Sequence, residues 1–223
     1  MTAAAQPPSQ ALTALPWVAP FAVFVGLMAV AGLVQQAGVD ARTWYAVRAG
    51  ATLLVLLGAG YACAELRRWP GLAALAGAVG VGIAVLGVWL VLDQDWATLG
   101  TLAPSPFAAA DTQRWQFAAR LAGAVLAAPL AEELFFRGFV MRWLVRAPVT
   151  AVDPRSVPLQ ALVIQAALFA TIHSMIVAGF VAGLAYGWLY RKTGSLWACV
   201  AAHATTNALL AAWVLSQDAW HLW

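Results

Sequence analysis

Two adjacent carboxylates, Glu132 and Glu133, follow an apolar run at 117–130, and Arg137 stands four residues after the second. Only nine of the 223 residues are acidic, and these two sit side by side in what reads as helix at lipid depth. An ionised group there costs on the order of 2.5–3.5 kcal/mol on insertion scales. The pair therefore needs a partner or a task. Glu133 and Arg137 are i, i+4 with the acid first, the better order for a helical ion pair. Glu132 is turned about 100° around the axis, and the residue four positions on is Phe136. The spacing predicts Glu133 tied to Arg137 and Glu132 left to exchange protons, which suits a general base. Without chemistry, the same cluster would only pin helices together.

Further polar groups stand in later apolar runs. Phe169 and His173 share one helix face at i, i+4, and His203 and Asn207 share another. His221, in the C-terminal tail, reads as an interfacial residue. Cys63 and Cys199 lie in apolar runs and supply no disulfide framework; Cys199 reads as small-residue packing. A lone histidine in a membrane is ordinarily satisfied by a backbone carbonyl. Two of them, a carboxamide and a carboxylate pair on three helices ask for more. Counted from helix ends at Arg146, Val157 and Ser195, Glu132 lies about 21 Å deep, His173 about 24 Å, His203 about 12 Å and Asn207 about 18 Å. Within end errors of several residues, one pocket can hold all four. Glu132 would take a proton from water that His173 orients. His203 and Asn207 would donate to a developing oxyanion. Glu132, His173 and His203 could instead hold zinc with an open site for water, but no His-Glu-x-x-His helix demands it, and the cofactor stays open.

The elements that must carry these groups follow from composition. The chain is 63% apolar and 9% charged, with mean hydropathy +0.80, whereas a soluble domain carries roughly 25% charged residues. The fold class is therefore all-α, a polytopic transmembrane bundle. The net charge of +3 is spread over helix ends, which excludes a nucleic-acid surface. We expect about seven spans, within six to eight: 17–38, 44–63, 71–92, 115–144, 157–174, 175–190 and 196–216. The stretch 157–190 reads as a tight or partly re-entrant hairpin. Gly179, Gly183 and Gly187 repeat at four-residue intervals and read as a packing seam. Residues 1–16 are expected to be disordered and without a cleaved signal peptide, 17–216 to form one domain with its core at 115–216, and 217–223 to be a tail. Arg67, Arg68, Arg142, Arg146, Arg155, Arg191 and Lys192 fall on one side, which the positive-inside rule makes cytoplasmic together with the N-terminus; Arg42 and Arg48 argue mildly against this. A substrate cavity is expected to open beside the 142–155 loop or laterally between helices.

At these motifs the chain resembles a known family. Glu132, Glu133 and Arg137, then Phe169 and His173, then His203 and Asn207 occur in the order found in the CAAX prenyl protease and bacteriocin-processing family of intramembrane endopeptidases, also called the Abi family. The resemblance covers about 115–216. It implies hydrolysis of a peptide bond in a membrane-associated peptide or protein, which in eukaryotic members is a prenylated C-terminal tail. By position, Glu132 is then the water-activating base, His173 its partner, and His203 with Asn207 the oxyanion donors. Glu133, Arg137 and Phe169 carry over as supporting residues. Abundant Ala and Trp suggest a bacterial member in the inner membrane, where prenylated tails are not expected. Two other readings compete: a non-catalytic scaffold or immunity protein of the same fold, and a small carrier using Glu132 and His173 as a proton relay. A carrier would show inverted repeats, and none is visible. Oligomeric state is not legible.

Overall fold

The computed structural model describes residues 10–100, 102 and 105–223, and every regular element among them is helical. Helix α1, Gln10–Ala29, starts earlier than expected. Residues 10–16, read from sequence as disordered, are helical because Ala and Leu there are strong helix formers; residues 1–9 lie outside the described residues. A short α2, Ala31–Gln36, leads to α3, Ala41–Ala62. Asp40 starts α3 by accepting from the backbone N–H groups of Arg42 and Thr43, both at 3.0 Å, which satisfies donors the helix itself cannot. Helix α4, Leu72–Val91, is apolar on every side.

A continuous helical rod at 114–143 follows, built from α5, Arg114–Ala122, α6, Ala128–Glu133, and α7, Met141–Trp143. Two widened π-turns join them, Gly123–Ala127 and Leu134–Val140. Proline in a helix interior clashes with the carbonyl four residues back, so Pro129 accounts for the wide turn before α6. The second π-turn frees the carbonyl of Gly138, and the buried Arg142 side chain donates to it through Nε at 2.7 Å. Arg142 also grips Glu65 with two nitrogens, Nη2 to Oε2 at 3.0 Å, which fastens the turn after α3 to this end of the rod.

The last three helices are α8, Leu159–Ala170, α9, Ile176–Thr193, and α10, Leu196–Gln217. Gly194 takes a left-handed φ of 66° between α9 and α10. α4 packs on α10, α1 on α3 and α8 on α9, with the rod between α1, α3 and α10. The glycine seam of α9 faces α8. A Cβ on Gly183 would lie 2.8 Å from the Cα of Ala166, so only glycine permits this approach.

α3, α4 and α10 are long and apolar enough to cross a membrane, and the protein is a membrane protein. Their outward faces stay apolar, with Leu54, Leu57 and Ile83 exposed, as lipid contact requires. The expected span 157–174 shrinks to a helix of 12 residues, about 18 Å long against the ~30 Å of a hydrocarbon core. Pro158 sets its start, and the turn at Thr171–Ser174 ends it. This turn meets the 93–111 loop, where the N–H of Leu99 donates to the carbonyl of Ser174 at 2.7 Å. The tail forms a 3-10 turn, Trp220–Leu222, held to Ser105 by a backbone hydrogen bond of 3.2 Å.

Candidate active site

Glu132 and Glu133 lie on α6, between the two π-turns, and both are buried. The i, i+4 pair forms as expected: Arg137 Nη1 donates to Glu133 Oε1 at 3.1 Å, and neither side chain is exposed to solvent. Arg137 Nη2 continues to the carbonyl of Gly183 at 3.2 Å, and its guanidinium lies 4.4 Å from the centre of the Phe169 ring. Phe169 thus holds the arginine that holds Glu133.

Glu133 has a second partner on α10. His203 Nδ1 lies 2.8 Å from the same Oε1. An ionised carboxylate only accepts, so Nδ1 carries a proton and Nε2 is turned away from Glu133. Nε2 stands 3.9 Å from Glu132 Oε2, an oxygen that has no hydrogen-bond partner among the described residues. His203 therefore bridges the two carboxylates that sequence spacing separates into different roles. The ring of Tyr186 stacks on His203 at 5.0 Å and 21°, and its hydroxyl donates to Thr206 at 2.7 Å.

His173 follows the end of α8. Its Nδ1 lies 2.9 Å from the carbonyl of Phe169, which again fixes the proton on Nδ1 and leaves Nε2 as an acceptor. Its ring packs 4.7 Å from Phe169 and 5.6 Å from Trp89. Asn207 is one turn beyond His203. Its Nδ2 donates to the carbonyl of Ala124 at 2.8 Å, in the π-turn Gly123–Ala127, and its other amide hydrogen has no partner among the described residues.

Glu132, His173, His203 and Asn207 line a single cavity of about 190 Å³. The four expected residues are thus brought together; of the three supporting ones, Phe169 lines the cavity as well, and Glu133 and Arg137 lie behind it. His221 stands apart, 2.9 Å from Asp93 at the protein surface. Cys199 is buried packing, its thiol directed at the carbonyls of Tyr186 and Ser195. The cavity does not run toward the 142–155 loop, one of the two openings expected. It runs from Glu132 past Arg120 on α5 to Tyr45 at the start of α3 and Trp223 in the tail, the end opposite the 142–155 loop. The cause is local: at the 142–155 end, Arg142, Glu65 and the buried Met141 and Tyr190 fill the bundle.

Among the described residues no group of three His, Cys, Asp or Glu side chains is set to hold an ion. Sequence reasoning missed Tyr186 and Gln165. Gln165 is fully buried and donates to the carbonyl of Gly183 at 2.9 Å, the oxygen that Arg137 also uses. A signal existed: a carboxamide in the middle of an apolar run must find a partner.

Fold and site together define a helical membrane protein with a carboxylate–imidazole cluster sunk in its bundle. Residues 114–209 match the family described as Rce1-like, type II CAAX prenyl endopeptidase Rce1-like. The match makes this segment, 96 of the 223 residues, similar to the CAAX prenyl protease family; α1 to α4 lie outside the match. No curated protein and no solved structure matches the chain.

Proposed function

We propose that the protein is an intramembrane endopeptidase that hydrolyses a peptide bond of a membrane-associated peptide with water activated by Glu132. The observation that carries this reading is the shared cavity, in which the partnerless Glu132 Oε2 stands beside His203 with His173 and Asn207 on the same wall. A water bound between Glu132 and His173 Nε2 gives its proton to Glu132 as its oxygen attacks the substrate carbonyl carbon. Negative charge moves to the carbonyl oxygen. The free amide hydrogen of Asn207 donates to that oxygen, and His203 Nε2 does so when both ring nitrogens are protonated, with Glu133 orienting the ring. Such preorganised donors supply about 2.7–4 kcal/mol of transition-state stabilisation each. The carbon–nitrogen bond then breaks, and Glu132 returns the proton to the leaving amine.

The topology belongs to the same reading. The rod and α1 join the three long apolar helices in crossing the membrane, α8 and α9 form a hairpin that enters and leaves from one side, with Arg155 against Thr193, and the Arg142, Arg146 and Arg155 end faces the cytoplasm of a bacterium, with the N-terminus on the same side. The test is cleavage of a quenched fluorescent peptide library by purified protein, wild type against Glu132→Gln. Loss of cleavage in a folded variant is expected. A variant that cuts as well as wild type would remove Glu132 from the reaction, and no cleavage by wild type would leave the scaffold reading in its place.

A further inference from the structure

His203 needs more than Glu133 to keep its orientation. The contact of Nδ1 with Glu133 Oε1 at 2.8 Å fixes one atom of the ring but not its plane. The atom that faces Glu132 is Nε2, across the ring, and a tilt about the Nδ1 contact would swing it away from the cavity. Two aromatic side chains limit that tilt. Phe169 on α8 meets the imidazole edge-on, at 5.9 Å and 73°. Tyr186 on α9 lies nearly parallel to it, at 5.0 Å and 21°. A parallel ring covers a face of its neighbour and so defines the plane in which that neighbour lies.

Tyr186 is itself held in place. It is fully buried, and its hydroxyl donates to Thr206 Oγ1 at 2.7 Å. Thr206 Oγ1 donates in turn to the carbonyl of Gly82 at 2.9 Å. The hydrogen bonds thus run from α9 through α10 to α4. The last of them ends on backbone with little room to move, since a Cβ on Gly82 would lie 2.8 Å from Thr205 Cβ. Burying a hydroxyl at lipid depth is unfavourable unless it is bonded, and a phenylalanine would fill the same space without that cost. Packing alone therefore does not call for a tyrosine here, whereas a ring that must hold one position does. The Arg137 guanidinium lies 5.4 Å from the centre of the same ring, so Tyr186 touches both partners of Glu133.

We propose that Tyr186 is a positioning residue for His203. Its ring sets the plane of the imidazole, and the anchor through Thr206 to Gly82 keeps that ring in register. Nε2 is thereby aimed at the cavity, where it stands 3.9 Å from Glu132 Oε2. Tyr186 lines the same cavity, but its hydroxyl proton is committed to Thr206 and acts through His203. The inference rests on the protease reading for the reaction that His203 serves; the ordering of the ring is tested without it.

Histidine NMR and kinetics test this together. The chain has three histidines, so labelling them with carbon-13 in nanodiscs gives three ring signals, assigned by replacing His173 and His221. The His203 signal should be sharp in wild type and in Tyr186→Phe, and broad or doubled in Tyr186→Leu. On the library peptide that wild type cuts fastest, Tyr186→Leu should lower kcat about ten- to a hundredfold, as a misplaced group does. KM should stay within about twofold, and Tyr186→Phe should restore kcat to within about threefold of wild type. If Tyr186→Leu does not fold, Thr206→Val decides. It keeps the shape and removes the anchor, and should broaden the His203 signal and lower kcat about threefold at unchanged KM. A His203 signal that stays sharp in the deciding variant overturns the proposal. So does wild-type kcat in that variant, or Tyr186→Phe as slow as Tyr186→Leu. A change confined to KM overturns it too, making Tyr186 a wall of the substrate site. If wild type cuts no peptide, the protease reading falls and the His203 line width alone decides.

Discussion

Replacing either glutamate by glutamine changes charge and almost nothing else, and the two sites should respond differently. Glu133 is fully buried between two donors, Arg137 at 3.1 Å and His203 at 2.8 Å. Glu133→Gln leaves Arg137 as a buried cation whose remaining hydrogen bond is to the carbonyl of Gly183. Breaking a buried pair from one side costs about 3–5 kcal/mol. At roughly 2–4 °C per kcal/mol for a chain of this size, the melting temperature should fall by about 10 °C. Glu132→Gln removes a carboxylate whose Oε2 has no hydrogen-bond partner among the described residues and stands 3.9 Å from His203 Nε2. Its effect on stability should stay within about 1 kcal/mol. Its effect on hydrolysis should be a loss of roughly 10²–10⁴-fold, the scale of general-base catalysis. Cys63 and Cys199 are both free and buried, so a thiol-reactive fluorogenic dye reports unfolding of each variant. A melting temperature that falls as far for Glu132→Gln as for Glu133→Gln would refute the division of roles, as would wild-type turnover in Glu132→Gln.

Four further outcomes are expected. Asn207→Ala should lower kcat by about 10²–10³-fold with a smaller change in KM, as loss of an oxyanion donor does; a change confined to KM would place Asn207 in ground-state binding. Gly183→Val should destabilise the α8–α9 hairpin, since its Cβ would meet the Ala166 backbone at 2.8 Å, at a cost of about 1–3 kcal/mol from overpacking, measured with the same dye. Single cysteines placed at Thr150 and at Asp95 should label from opposite faces of proteoliposomes, and same-side labelling would refute the course of the rod. Arg42, hydrogen-bonded to both, holds the Asp40 and Asp111 carboxyls below the usual carboxylate range. A depressed carboxyl stabilises above its unfolded value and loses that contribution as pH falls through its folded one. The cap of α3 should therefore be unchanged from pH 7 to 5 and loosen only below the usual carboxylate range, followed by hydrogen exchange of the Thr43 amide, whereas Arg42→Met should shift that loosening to higher pH.

Much of this was legible in the chain because it is local or because it is costly. The membrane class follows from composition, and the Glu133–Arg137 pair follows from i, i+4 spacing on one helix. Glu132, His173, His203 and Asn207 stood out because polar groups at lipid depth must be compensated, whatever the fold. Their shared cavity depended on depth alone, which any antiparallel arrangement of such helices approximates. Rotation of one helix against another is a different matter. That His203 turns Nδ1 to Glu133 and Nε2 toward Glu132 follows from how α10 faces the rod, which no spacing within α10 encodes. That Gln165 and Arg137 meet on the Gly183 carbonyl depends on the close approach of α8 to α9. The cavity runs toward Arg120 and Tyr45 because Arg142 and Glu65 close the other end, and those two residues are 77 positions apart in the chain.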